Sequence, residues 1–191
     1  LVVDGGPETV AGCPDAADTE LDDHDERECA DHCLEEDVDD VFGNLDLVET
    51  EYQTILNSPS FTNPIERGML LNNLAYAMAL NGKPDKPAQL IQEAKQLIGP
   101  TSDIIDTEGF VQYVQGKNEL AIVSFNQAIK AGPVTSQKYL HLALALMKKG
   151  DRKKAEAAWG NALKAGLNKA KLPPALHDEF DELAGALGTQ L

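Results

Sequence analysis

Apolar and small residues recur along this chain at helical spacing, and over much of it at a second, longer interval. Between residues 102 and 132, Ile104, Ile105, Phe110, Val111 and Val114 form one stripe, and Leu120, Ala121, Phe125, Ala128 and Ile129 form another. Spacings of three and four predict two amphipathic helices, here called A and B, meeting near Gly116. The pattern repeats on either side at steps of 34: small residues at Ala75, Gly109 and Ala143, glycines at Gly82, Gly116 and Gly150, and alanines at Ala94, Ala128 and Ala162. Pro87, Ala121 and Ala155 fall between them, followed by the bulky series Ile91, Phe125 and Trp159. A glycine at the turn can take positive φ and end helix A, while paired small residues let two helices approach and the bulky residue fills the space between them.

The flanks extend the pattern. Gly43, Leu47, Val48, Tyr52 and Ile55 have the internal spacing of Gly116, Leu120, Ala121, Phe125 and Ala128, so residues 44–57 predict a further helix B, ended by Pro59. Residues 29–42 occupy the place of its helix A, with Leu34, Val38, Val41 and Phe42 apolar but six of fourteen positions acidic, a degenerate helix. The link from Ser58 to Glu66 holds Pro59 and Pro64. After the last repeat, Pro174 precedes an amphipathic stretch with Leu176, Phe180, Leu183, Ala184 and Leu187 on one stripe. Such a helix covers the apolar side a terminal repeat would otherwise expose.

The middle copy carries Gly109, then Ala121, Phe125 and Pro133 at spacings that resemble the tetratricopeptide repeat family. Gln112 stands where that pattern has tyrosine, Glu108 where it has leucine, and Pro87 where the first copy's helix B has alanine. A proline in the first turn of a helix is tolerated, because its missing N–H has no intrahelical partner. The resemblance covers residues 68–167 and implies an all-α, right-handed helical-repeat solenoid of about three full repeats. The expected organisation is an acidic, disordered segment 1–28, a partial repeat 29–58, the repeats 68–167 and a capping helix in 168–191.

The resemblance also implies a concave surface lined by helix A: Met69, Asn72, Tyr76 and Ala79 in the first copy, Asp103, Asp106, Phe110 and Tyr113 in the second, and Gln137, Leu140, Leu144 and Met147 in the third. Some members clamp a terminal carboxylate with Lys, Arg and Asn; here those positions hold Asn72, Tyr76, Thr107, Gln137 and His141, and the clamp is missing. Tyr76, Phe110, Tyr113, Leu144 and Met147 would instead form an aromatic and aliphatic trough for an extended or helical peptide. The expected groove is Asn72, Tyr76, Asp106, Phe110, Tyr113, Leu144 and Met147, and the expected partner is a protein or peptide.

Charge sharpens this reading. The formal net charge is −16, yet residues 1–46 hold 17 acids and one base while residues 47–191 hold 15 of each. Residues 130–171 carry ten bases and two acids, a stretch that could dock an acidic segment of a partner or of this chain's own beginning. A net-negative chain without interleaved aromatics in its basic stretch argues against nucleic acid. The longest apolar run, Leu140–Met147, has eight residues and includes His141, too short to insert in a membrane. The chain therefore reads as soluble, with the cytoplasm preferred and oligomeric state left open.

No motif carries catalysis: there is no phosphate-binding Gly-Lys-Ser/Thr loop, His-Glu-x-x-His, Gly-x-Ser-x-Gly or Cys-x-x-Cys. The chain is expected to be non-enzymatic, without cofactor. Cys13, His24, Cys29, His32 and Cys33 are the one set with metal-ligand chemistry, but Cys13 is distant and unpaired, so no metal site is assigned. Cys29, Cys33, His24 and His32 carry the alternative reading of a metal- or redox-responsive module; a second alternative is the repeat region of a larger enzyme. His141, between Leu140 and Leu142, is expected to pack or hydrogen-bond.

Overall fold

A computed structural model describes residues 44–83 and 85–188, and every regular element among them is helical. In chain order the α-helices are α1 (Leu45–Leu56), α2 (Pro64–Leu80), α3 (Pro87–Ile98), α4 (Ser102–Val114), α5 (Asn118–Ala131), α6 (Ser136–Lys149), α7 (Arg152–Lys164) and α8 (His177–Ala186). Short 3-10 turns at Lys169–Lys171 and Pro174–Leu176 lead into α8. The expected segment 1–28 and the helix at 29–42 lie outside the described residues.

Local chemistry sets most of the boundaries. The side chains of Asn44, Asn63, Thr101, Thr135 and Asp151 accept backbone N–H bonds at the starts of α1, α2, α4, α6 and α7, satisfying donors that the first helical turn leaves without partners. Pro87 sits in the first turn of α3, where no N–H is missed. Pro64 does the same for α2, so the end of the expected 58–66 link is already helix. Gly82, Gly116 and Gly150 have φ of 67°, 73° and 85°. At each, the following residue's N–H reaches back over the helix end (Lys83 to Met78 O, Lys117 to Gln112 O, Asp151 to Leu146 O), closing a Schellman turn.

Successive helices from α1 to α7 pack on one another in chain order; α2 also meets α4, α4 meets α6, and α6 meets α8. The small positions 34 apart are all buried, and Ile91, Phe125 and Trp159 fill the spaces between them at 2%, 0% and 3% exposure. In the middle pair the fit is tight: a Cβ on Gly109 would stand 2.7 Å from two carbons of the Phe125 ring. Phe180 of α8 meets Trp159 edge-on, with ring centroids 5.2 Å apart.

α1 departs from this pattern. Its Tyr52 is half-buried and Ile55 exposed, although their counterparts Phe125 and Ala128 are fully buried. α5 packs on both α4 and α6, whereas the main contact of α1 among the described helices is with α2. Polar contacts hold α1 to the end of α2. Lys83 Nζ lies 2.7 Å from Asp46 Oδ1 and 3.1 Å from Glu49 Oε2, and Asn81 Nδ2 donates to both carboxylates at 2.9 Å.

The Lys83 hydrogen bond, then that from Asn81, holds the Asp46 carboxyl below its ordinary value. A carboxyl depressed by folding contributes stability above its unfolded pKa and loses it as pH falls through the folded value. An NMR titration of Asp46 is therefore expected to show a midpoint below that of a free aspartate, returning toward it in Lys83→Met. An unchanged midpoint in that variant would show that Lys83 does not hold the carboxylate.

Candidate binding groove

The expected groove residues come from α2, α4 and α6, which the α2–α4 and α4–α6 contacts set side by side. At their centre the rings of Tyr76, Phe110 and His141 meet, with centroids 5.0 Å apart for Tyr76–Phe110 and 4.8 Å for Phe110–His141. Polar atoms of the same residues form a chain. Gln137 Nε2 donates to the Tyr76 hydroxyl at 2.7 Å, that hydroxyl lies 3.3 Å from His141 Nε2, and His141 Nδ1 lies 2.9 Å from Asp106 Oδ2. With Gln137 supplying a proton to the Tyr76 oxygen, the tyrosine proton is free to point at Nε2 and the Nδ1 proton at Asp106, so each donor finds an acceptor. Burial foremost, with the Asp106 charge second, pushes the Tyr76 phenol well above its ordinary value and keeps it a donor.

This cluster closes the middle of the expected trough. Phe110, 2% exposed, and Asp106 are buried where Tyr76 and His141 fill the gap between the three helices, and Leu140 and Leu144 are buried as well. Asn72, Tyr76, Tyr113 and Met147 are half-buried and keep an open edge. The accessible surface divides into two clefts.

One, of about 760 Å³, lies by the N-terminal halves of α2 and α4 and the end of α3. Exposed Ile65 and Met69, with Leu97, form its apolar rim; Asn72 and Asp103 supply polar groups. Asn72 Oδ1 is buried without a hydrogen-bond donor. The other, of about 310 Å³, lies at the C-terminal ends of α4 and α6, where Tyr113, Leu144 and Met147 face Glu179, Glu182 and Leu183 of α8. Asn72 thus belongs to the first cleft and Tyr113, Leu144 and Met147 to the second. The apolar stripe of α8 is legible in the sequence, but nothing in it signals that Glu179 and Glu182 line a cleft with Tyr113, Leu144 and Met147.

The basic stretch is less open than its charge count suggests. Lys138 is buried, with Nζ bonded to Asp103 Oδ1 at 2.8 Å, Ser102 Oγ at 2.7 Å and Pro133 O at 3.0 Å. Lys149, Arg152, Lys154 and Lys169 pair with Glu119, Glu156, Asp151 and Asp181. Among the described residues no group of His, Cys, Asp and Glu could hold a metal ion, and no helix is long and apolar enough to cross a membrane. The candidates Cys13, His24, Cys29, His32 and Cys33 lie outside those residues. No protein-family model, curated protein or solved structure matches this chain.

Proposed function

We propose that this chain is a tetratricopeptide-like helical solenoid that works as a non-catalytic scaffold, binding a peptide or protein segment along α2, α4 and α6. The 34-residue recurrence of Schellman glycines and of small-on-bulky packing supports the repeat assignment. The observation that carries the binding reading is the α2–α4 cleft, where exposed Ile65 and Met69 adjoin a buried acceptor, Asn72 Oδ1, that has no donor. A segment laid along this cleft would cover Ile65 and Met69 with an apolar side chain of its own, and its backbone would lie beside the polar groups of Asn72 and Asp103 at the cleft.

Selection of displayed random peptides against the full chain tests this. Enriched peptides are expected to carry an apolar anchor, and Met69→Glu to weaken their binding about tenfold, equivalent to about 1.4 kcal/mol. Gln92→Glu, at an exposed position of α3 that does not line the cleft, is expected to leave binding unchanged. Failure to enrich any peptide, or equal affinity in Met69→Glu, overturns the reading.

A further inference from the structure

The cleft between α4, α6 and α8 has a chemistry of its own. Its floor is apolar, with Leu144 and Leu183 buried and the half-buried Tyr113 and Met147 at the sides. Glu179 and Glu182 stand along the α8 edge, and neither has an ion pair or hydrogen bond among the described residues. Lys148 is the lone cation in the lining, and it is exposed. The carboxylates act on the cleft: burial first, then the charges of Glu179 and Glu182, pushes the Tyr113 phenol up to about 12.

We propose that this cleft receives a lysine or arginine side chain of the bound segment, its methylene stem against Leu144, Met147 and Leu183 and its cationic head between Glu179, Glu182 and the Tyr113 ring. The inference rests on the binding reading above and names the partner's chemistry. Long cationic side chains suit such a place because they bury an apolar stem and keep the charged tip at the rim. A cation at an aromatic face gains further attraction, and charge complementarity selects against acidic segments. An anion would meet two carboxylates for one lysine.

Three acetylated, amidated hexapeptides of leucine alternating with arginine, glutamine or glutamate serve as probes of the full chain, by titration and by amide NMR shifts. The arginine peptide is expected to bind about tenfold more tightly than the glutamine peptide and to shift Leu144, Met147, Glu182 and Leu183. The double variant Glu179→Gln/Glu182→Gln is expected to remove that advantage, and Lys148→Gln to raise it two- to threefold. Shifts confined to the acidic residues 1–46, or an advantage that survives the double variant, overturn the proposal. Shifts of the same cleft residues with protein concentration alone would assign it to a second copy instead, and also overturn it. Equal binding of arginine and glutamine peptides at the α2–α4 cleft leaves the scaffold reading standing and removes this one; no binding at either cleft counts against both.

Discussion

Phe125→Ala is expected to cost about 3–5 kcal/mol of folding stability, the range for removing a fully buried phenylalanine and leaving a cavity. Phe125 is 0% exposed; its ring lies against Gly109 of α4 and 5.5 Å from the His141 ring, so its loss loosens three helices at once. In a chain of this size each kcal/mol lowers Tm by about 2–4 °C, so calorimetry resolves the effect easily. The cause can be isolated through Gly109. In the native background Gly109→Ala places a Cβ 2.7 Å from the ring and is expected to destabilise, the clash outweighing the helical preference of alanine by about 1–2 kcal/mol. In the Phe125→Ala background the same change is expected to stabilise by up to about 1 kcal/mol. Additive effects in the two backgrounds would rule out the close approach of α4 and α5 as the source.

His141→Leu is expected to cost about 3 kcal/mol at neutral pH, because it leaves a buried charged acceptor without its hydrogen-bond donor. Asp106 is 8% exposed; Oδ1 has no partner and Oδ2 has His141, so the leucine strands a carboxylate between α2 and α6. Asp106→Asn is expected to cost less than half as much, since its amide oxygen can still accept from Nδ1. Replacing both residues with leucine is expected to recover most of the loss, because no charge is then left in the core. Urea unfolding of the four proteins checks the order. A cost below about 1 kcal/mol for His141→Leu would show that the Tyr76–His141–Asp106 chain does not compensate a buried charge.

The helices were readable in the sequence where several local signals agreed. At Gly82, Gly116 and Gly150 a turn residue, a small-residue stripe and a bulky partner recur together, and the structure places a helix end at each. Pro64 shows the opposite case: beside Pro59 it looks like part of a linker, yet Asn63 before it is a helix cap and makes it a start signal. The helical pattern also placed Phe110 and Leu144 on helices, but the burial of Phe110 depends on the rings of Tyr76 and His141, 34 and 31 positions away, and a stripe along one helix does not show which side chains of its neighbours will cover it. Lys138 makes the same point for charge. Composition counts it as surface, whereas Ser102, Asp103 and the Pro133 carbonyl draw it into the junction of α4 and α6.

The order of packing has a consequence for how the molecule comes together. Each described helix rests mainly on the one or two that precede and follow it in the chain, so few contacts require distant segments to meet first. Loop-closure entropy is then small at every step, and topologies of this kind fold rapidly. Contacts between adjacent helices, such as α4 with α5, can therefore form without waiting for segments distant in the chain. A nascent chain emerging from α1 onward can bury each helix against the last as it appears, which keeps little apolar surface waiting for a partner not yet made.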